Sequence, residues 1–155
     1  MISFKEALKE IFTAEMSSGG ELEGLCDGIL ISIVEPLPDT YKTFITLGGF
    51  SASDVRIGHM QKKFREVELE IECNAVFQKR GVDSPEATAE DDSQKIAQKV
   101  RTILKANQKL ISTSYPTGIA IISEVINEVL DWVQYGTVQC ATSIVTLYMK
   151  ILEAN

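Results

Sequence analysis

Apolar and polar residues alternate most regularly between Phe64 and Gln78, where every second residue is apolar and most of those between are glutamates. A period of two is typical of a strand with one buried face, so this pattern predicts a strand over Glu66–Phe77. Such a strand would rise about 3.3 Å per residue and reach roughly 40 Å. Four glutamates share its polar face with neighbours about 7 Å apart. They are Glu66, Glu68, Glu70 and Glu72.

Two other segments carry apolar residues at helical spacing, which predicts one helix near the N-terminus and one in the middle of the chain. The first covers Ser3–Met16, and Ser3 with Glu6 has the arrangement of a capping box. The second has two candidate starts: Ser84 and Pro85 suit an N-cap and the first helical position, and Asp91 and Asp92 could equally mark a later start. The apolar stripes are Phe4, Ala7, Leu8, Ile11 and Phe12 in the first helix, and Ile96, Val100, Ile103 and Leu104 in the second.

The segment between the first helix and the long strand predicts two further strands and a loop. Branched residues over Gly28–Glu35 favour a strand that ends at a proline-rich turn. Alternation over Tyr41–Leu47 predicts its antiparallel partner in a hairpin. Glycines and small polar residues over Gly48–Gln61 predict a loop, with room for one short extended piece around Val55.

The C-terminal third predicts two more strands. Gly118–Ile126 is nearly continuous apolar sequence, followed by a loop over Asp131–Thr137. A helix over 123–136 is the alternative interpretation, because valines recur there at every fourth position. Val138–Leu152 predicts a closing strand, and a change in the parity of its apolar residues indicates a bulge near 142–143.

This order of elements predicts an α+β fold in which a mostly antiparallel β-sheet carries two α-helices on one face. A length of 155 residues is typical of one domain, so we expect residues 1–155 to form a single unit.

Charge and composition narrow the classes of function. Fifteen Lys and Arg residues against 22 Asp and Glu residues give a formal charge of −7, which argues against a general nucleic-acid binder. The three cysteines lie far apart and no secretory signal precedes them, so we expect reduced, mostly buried thiols in an intracellular protein. No apolar run is long enough to span a membrane. His59 is the only histidine and has no cysteine near it in sequence, so we expect no catalytic, metal or cofactor site.

At this point the chain resembles the tail-terminator, or tail-completion, proteins of tailed bacteriophages. The resemblance rests on the helix of Ser3–Met16, the strand VELEIECNAVFQ, the helix SQKIAQKVRTILKAN and the closing strand pair IAIISEVINEVLDWVQYGTVQCATSIVTLYMKI. It implies a structural virion protein that forms a ring of six copies at the end of the tail tube. The ring stops tube elongation and joins the tail to the head connector.

The same resemblance implies the partners and the location. The partners are other copies of the chain, the tail-tube protein and the head connector or neck proteins. DNA only passes through the lumen, and no membrane and no cofactor are involved. The protein would lie at the head–tail junction of the virion, and in the host cytoplasm during assembly.

The row of glutamates has two interpretations. It is either a solvated sheet face or an acidic surface that lines the lumen or a seam between subunits. An acidic lumen would repel passing DNA instead of gripping it. The basic residues Lys95 and Lys99 of the second helix are usually read as a solvated face, but they could meet the acidic strand of an adjacent copy.

Candidates for docking lie in the predicted loops Gly48–Gln61 and Lys79–Asp91 and beside the loop near residue 131, where aromatic residues could equally be packing. The alternatives to a tail terminator are another neck or tail-tube structural protein of a virion, or a small ligand-binding α+β domain. The docking candidates are Asp54, Arg56, Asp83, Trp132 and Tyr135.

Overall fold

A computed structural model describes residues 3–31, 37–38, 40–56, 63–77, 85–110, 120–135 and 138–153. Two helices and five strands lie within these ranges. In chain order they are α1 (Ser3–Glu15), β1 (Gly28–Leu30), β2 (Thr43–Arg56), β3 (Lys63–Val76), α2 (Pro85–Ala106), β4 (Ala120–Tyr135) and β5 (Val138–Glu153).

The five strands form one sheet in the order β1-β2-β3-β5-β4. Only β1 and β2 pair in parallel, and the other three pairs are antiparallel. The protein therefore has the α+β fold with a mostly antiparallel sheet that the sequence predicts. The long alternating strand is confirmed as β3, the central strand of the sheet.

Both helices pack on the same face of the sheet. Ala7, Leu8, Ile11 and Phe12 of the predicted α1 stripe and the predicted stripe of α2 are buried there, together with the apolar residues of the central strands. Burying these side chains supplies the main driving force for folding. The buried cluster includes Leu8, Ile11 and Phe12 of α1, Ile96, Val100, Ile103 and Leu104 of α2, Ile45 and Leu47 of β2, Val67, Leu69 and Ile71 of β3, and Val145, Leu147 and Met149 of β5.

Small residues let the first half of α2 approach the sheet closely. Ala89 packs against alanines of β3 and β5 and is fully buried. The hydroxyl of Ser93 is hydrogen-bonded to the carbonyl oxygen of Cys73 at 3.0 Å and to the hydroxyl of Ser143 at 2.7 Å. These bonds satisfy polar groups that would otherwise be costly to bury.

The predicted antiparallel hairpin is wrong, because β1 runs parallel to β2. The carboxylate of Asp27 accepts hydrogen bonds from the backbone N–H groups of Lys42 (2.7 Å) and Thr43 (3.2 Å). This contact fixes the start of β1 beside the start of β2, so both strands leave in the same direction. The predicted end of the first strand, at 32–35, lies outside the described residues.

The loop predicted over Gly48–Gln61 is also wrong as far as residue 56, because β2 continues to Arg56. The short extended piece that the prediction allowed around Val55 lies inside this longer strand. The pairing of β2 with β3 shifts register between Leu47 and Phe50, where the two glycines lie. A bulge accommodates glycines that would otherwise weaken a strand. The glycines and the small polar residues after them, such as Ser51 and Ser53, are why the composition of this segment is typical of a loop.

The C-terminal pair differs from the prediction in two respects. The strand β4 runs continuously to Tyr135, which excludes both the alternative helix and most of the predicted loop. No bulge occurs at 142–143, since β3 and β5 pair in continuous register from Val76↔Cys140 to Lys63↔Glu153. The irregularities lie in β4 instead, between 122 and 124 and between 127 and 130.

The parity change in β5 has another cause than a bulge. Val145 faces the helices, whereas Cys140 and Val138 belong to a second apolar cluster on the opposite face with Phe44 and Val76. The strand therefore buries residues on opposite faces at its two ends.

The helix boundaries agree with the sequence prediction. Pro85 is the first residue of α2, so the earlier of the two candidate starts is correct, and the part of the predicted docking loop from 85 to 91 is helical instead. The helix α1 ends at Glu15. Gly19 follows with a φ of 85°, a conformation that glycine adopts without strain.

Candidate functional site

The alternation of β3 places its glutamates on the sheet face opposite the helices. Leu69 and Ile71 are fully buried beneath α1 and α2, so the residues between them point away from that core. Two glutamates, Glu66 and Glu70, are exposed, and the other two are half-buried. We refer to Glu66, Glu68, Glu70 and Glu72 as the glutamate row.

The neighbouring strand β5 compensates only one end of the glutamate row. Lys150 lies directly across from Glu66. The hydroxyl of Tyr148 donates a hydrogen bond of 3.3 Å to Glu68. An opposite charge or a hydrogen-bond donor across a strand pair stabilises a carboxylate, so this end of the row has partners within the chain.

The other end of the row faces no cation across either neighbouring strand. Glu70 is paired with Thr146, and Glu72 lies between Ile144 of β5 and Thr46 of β2. Burial, and then the nearby charge of Glu70, raise the pKa of Glu72 above its ordinary value. The two carboxylates therefore form the least compensated part of the row.

Gly48 shapes the sheet beside Glu72. A Cβ atom at Gly48 would lie 3.2 Å from the carbonyl oxygen of Glu70 and 3.8 Å from the carboxyl carbon of Glu72. The absence of a side chain at this bulge therefore relieves a tight approach to the backbone of β3, and the carboxylate of Glu72 lies within contact distance of the same position.

A buried polar layer lies next to the glutamate row on the same face. The hydroxyl of Thr142 donates to the side-chain oxygen of Asn74 at 2.6 Å, and the Asn74 amide donates to the hydroxyl of Thr46 at 3.1 Å. The three side chains are at most 2% exposed and link β5, β3 and β2. Alternation alone did not reveal this layer, because threonine and asparagine on a sheet face usually indicate contact with solvent.

The far end of this face is closed by an apolar cluster. Leu30, Phe44, Val76 and Cys140 are buried there, and Tyr41 is among the half-buried residues packed against them. The ring of Tyr41 lies so close to Gly28 that a Cβ atom there would overlap it. The second face therefore changes from apolar, through buried polar, to acidic along the strands.

The candidate lysines do not meet the glutamate row within one chain. Lys95 and Lys99 are exposed on α2, which packs on the opposite face of the sheet. The ammonium group of Lys99 forms a salt bridge of 2.9 Å with Glu21. Because both partners are nearly half exposed, this ion pair stabilises the fold little.

The docking candidates do not form a loop cluster. Asp54 and Arg56 are strand residues, paired with Arg65 and Lys63 of β3. Asp83 lies outside the described residues.

The aromatic candidates are strand residues as well. Trp132 lies within β4, and Tyr135 is its last residue. Trp132 meets Phe77 edge to face, with the ring centroids 6.0 Å apart, and packs against the alanine cluster beneath α2. This contact supports the packing interpretation of Trp132.

Sequence reasoning missed the role of Lys5. Its ammonium group donates to the carbonyl oxygens of Leu47 (3.2 Å) and Gly48 (3.0 Å), with Ile31 at 3.4 Å. Partial burial lowers the pKa of Lys5. The lysine therefore binds α1 to the bulged part of β2, and nothing in the local sequence distinguishes it from a solvated lysine.

The cysteines are free and buried, as the sequence predicts. Burial raises the pKa of the Cys26 and Cys140 thiols to about 11, so their reactive thiolate forms are scarce at neutral pH. In the described part of the chain, no three His, Cys, Asp or Glu side chains could together hold a metal ion. No helix among the same residues is long and apolar enough to cross a membrane.

The comparisons with known proteins leave the family open. No protein-family model matches the sequence, and a search of curated proteins finds no match. The function must therefore be argued from the arrangement of the two sheet faces and from the order of the elements.

Proposed function

We propose that this protein is a structural component of a phage tail, which forms a ring at the end of the tail tube, ends tube elongation and joins the tail to the head connector. The order of the elements supports this proposal: one helix, a long alternating strand, a second helix and two closing strands follow one another as in the tail-terminator proteins that the sequence resembles. The role is one of assembly and involves no bond-making.

The observation that carries the proposal is that the two faces of the sheet have different surroundings. Both helices cover one face, while the glutamate row remains in contact with water on the other. A subunit whose fold depends on one face can present the other to its surroundings without losing stability.

The charge of the glutamate row suits a passage for DNA. Six copies would carry a formal charge of −42, six times that of one chain. Carboxylates facing a lumen repel phosphates, so DNA would pass without binding. The end of the row that lacks compensating cations would contribute most to this repulsion.

Addition of the purified protein to growing tails that lack a terminator tests the capping role. We expect tubes to stop at a uniform length and to gain a ring-shaped density at the end, as seen by electron microscopy. Tubes of unregulated length in saturating protein would contradict the proposal.

Charge neutralisation tests the role of the glutamate row within that function. The quadruple change Glu66→Gln, Glu68→Gln, Glu70→Gln and Glu72→Gln should leave the monomer folded but slow DNA passage through joined particles. The matched control is Lys95→Gln with Lys99→Gln, which changes charge on the opposite face and should leave passage unchanged. Equal passage by the quadruple variant and the wild type would favour a merely solvated face.

A further inference from the structure

Two carboxylates at one end of the glutamate row have no partner in the part of the chain that the structure describes. Neither Glu70 nor Glu72 forms a hydrogen bond or an ion pair there. At the other end of the row, Lys150 and Tyr148 of β5 lie beside the glutamates. Neighbouring carboxylates repel each other, so the end without partners favours an additional positive charge.

The carboxylate of Glu72 leans along β3 toward the level of Glu70. The position that a Cβ atom of Gly48 would occupy is 3.8 Å from the carboxyl carbon of Glu72 and 3.2 Å from the backbone carbonyl oxygen of Glu70. One point of the sheet is therefore close to both residues. Alternate residues of a strand are about 7 Å apart, and the inclination of Glu72 shortens the distance that a single ion would have to bridge.

A threonine hydroxyl lies at the same level on the β5 side. Thr146 is directly across from Glu70 and is only 3% exposed. Its neighbours Val145 and Leu147 face the helices, so the side chain of Thr146 lies on the same face as the glutamate row. The hydroxyl forms no hydrogen bond with any other described residue. Its oxygen is therefore available to a ligand that sits beside Glu70.

Two carboxylates and a hydroxyl are the ligand types that a hard cation prefers. Ca²⁺ takes about 6–8 oxygen ligands at roughly 2.3–2.6 Å in a flexible geometry, and water completes its shell. Mg²⁺ demands a near-ideal octahedron at about 2.0–2.1 Å. Ligands that are fixed on alternate residues of one strand and on its neighbour meet the first requirement more easily than the second.

The charges around these ligands favour weak binding. The ammonium group of Lys5 binds the carbonyl oxygens of Leu47 and Gly48, so one positive charge already lies near Gly48. Only two carboxylates oppose it. Because calcium affinity follows the number of ligand charges, we expect a dissociation constant on the order of 1 mM.

We infer that Glu70, Glu72 and Thr146 together bind one Ca²⁺ ion on the face of the sheet opposite the helices. The inference goes beyond the proposed function and does not rest on it, because all three ligands belong to one chain. A bound ion would cancel the charge of two of the four carboxylates in the glutamate row. The charge that this face presents would then depend on the concentration of Ca²⁺.

Urea unfolding of the full chain with and without CaCl₂ tests the site. An ion present at about ten times its dissociation constant, here about 10 mM, should lower the unfolding equilibrium constant about tenfold. The reference is NaCl at about 30 mM, which has the same ionic strength and screens surface charges equally. Isothermal titration calorimetry should give one Ca²⁺ ion per chain.

Substitutions of the ligands locate the ion. Glu70→Gln with Glu72→Gln should abolish the response to Ca²⁺. Glu66→Gln makes the same change at the end of the row that has partners, and should leave the response intact. Thr146→Val keeps the shape of the side chain without its oxygen and should weaken binding about tenfold, whereas Thr146→Ser keeps the oxygen and should bind like the wild type. Unfolding midpoints without Ca²⁺ establish that the variants fold.

Each contrary result overturns the inference. An equal response to CaCl₂ and NaCl, or an equal response of the wild type and the double glutamine variant, would mean that Ca²⁺ only screens charge. Loss of the response in Glu66→Gln would mean that the ion senses the whole row and not a site. Full affinity in Thr146→Val would remove the hydroxyl from the site, and tighter binding of Mg²⁺ would overturn the assignment to Ca²⁺. Failure to cap tails by protein that binds Ca²⁺ as expected would reject the proposed function alone.

Discussion

On one face of β3, Leu69 is fully buried under the helices, whereas Glu70, the next residue, is exposed on the opposite face. Across the helix-covered face the contacts are mainly apolar and join both helices to the three central strands of the sheet. Across the other face they change from an apolar cluster to a buried polar layer and then to the glutamate row. The first face therefore holds the fold together along its whole length, whereas the second does so through its apolar cluster and its buried polar layer but not through the glutamate row.

The test with the largest expected effect on stability compares truncations of two adjacent side chains. Leu69→Ala leaves a cavity in the core and should lower the free energy of unfolding by about 2–5 kcal/mol. Glu70→Ala removes a side chain in water and should change it by about 0.5 kcal/mol or less. Urea unfolding monitored by circular dichroism measures both. Similar losses for the two variants would mean that the second face is as strongly packed as the first.

The apolar cluster at one end of the second face can be disturbed by adding a single methyl group at Gly28. The Cβ atom in Gly28→Ala would overlap the ring of Tyr41, so the ring must move away from the apolar cluster. Overpacking of this kind costs about 1–3 kcal/mol. The loss should shrink when Gly28→Ala is made in a Tyr41→Val background. An equal loss in both backgrounds would show that the ring does not cover this end.

The middle of the second face depends on hydrogen bonds. Asn74→Ala removes the partner of both Thr142 and Thr46 and should lower the free energy of unfolding by about 1–2 kcal/mol. Replacing both sides of one bond, as in Asn74→Val with Thr142→Val, should cost less than the sum of the single changes. If the single and double changes were simply additive, the three side chains would not act as one layer.

The sequence predicts the elements whose signals are local. Alternation in β3, the apolar stripes of α1 and α2, and Pro85 at the start of α2 each follow from a few neighbouring residues, and the structure confirms them. The predicted antiparallel pairing of β1 is wrong, because its true direction depends on the contact of Asp27 with residues 15 and 16 positions away. Propensity carries no information about such contacts.

The surface was harder to predict than the fold. The glutamate row follows from alternation, but its uneven compensation does not, since Lys150 and Tyr148 are brought beside it by the register of β5. Asp54 and Arg56 were assigned to a loop because the glycines before them are typical of loops. The structure uses the same glycines as a bulge inside a strand.

The smallest effect concerns the pH dependence of stability at the acidic end of the second face. Burial, and then the charge of Glu70, raise the pKa of Glu72. The folded chain therefore retains this proton to higher pH than the unfolded chain does. As pH rises from the ordinary pKa of glutamate through the raised pKa, the unfolded state binds fewer protons and the free energy of unfolding falls.

Glu72→Gln should remove this fall and make the protein more stable at neutral pH. Because water screens a partly exposed carboxylate, we expect a gain on the order of a few tenths of a kcal/mol. Glu70→Gln should lower the pKa of Glu72 and recover part of the gain.

The matched control is Glu66→Gln. This variant changes a charge about 20 Å along the strand from Glu72, which is beyond the screening length of about 8–10 Å. If urea midpoints from pH 4 to pH 8 fell equally in the wild type and in Glu72→Gln, the pH dependence would have to come from other groups. The contrast between the compensated and uncompensated ends of the row would then have no effect on stability.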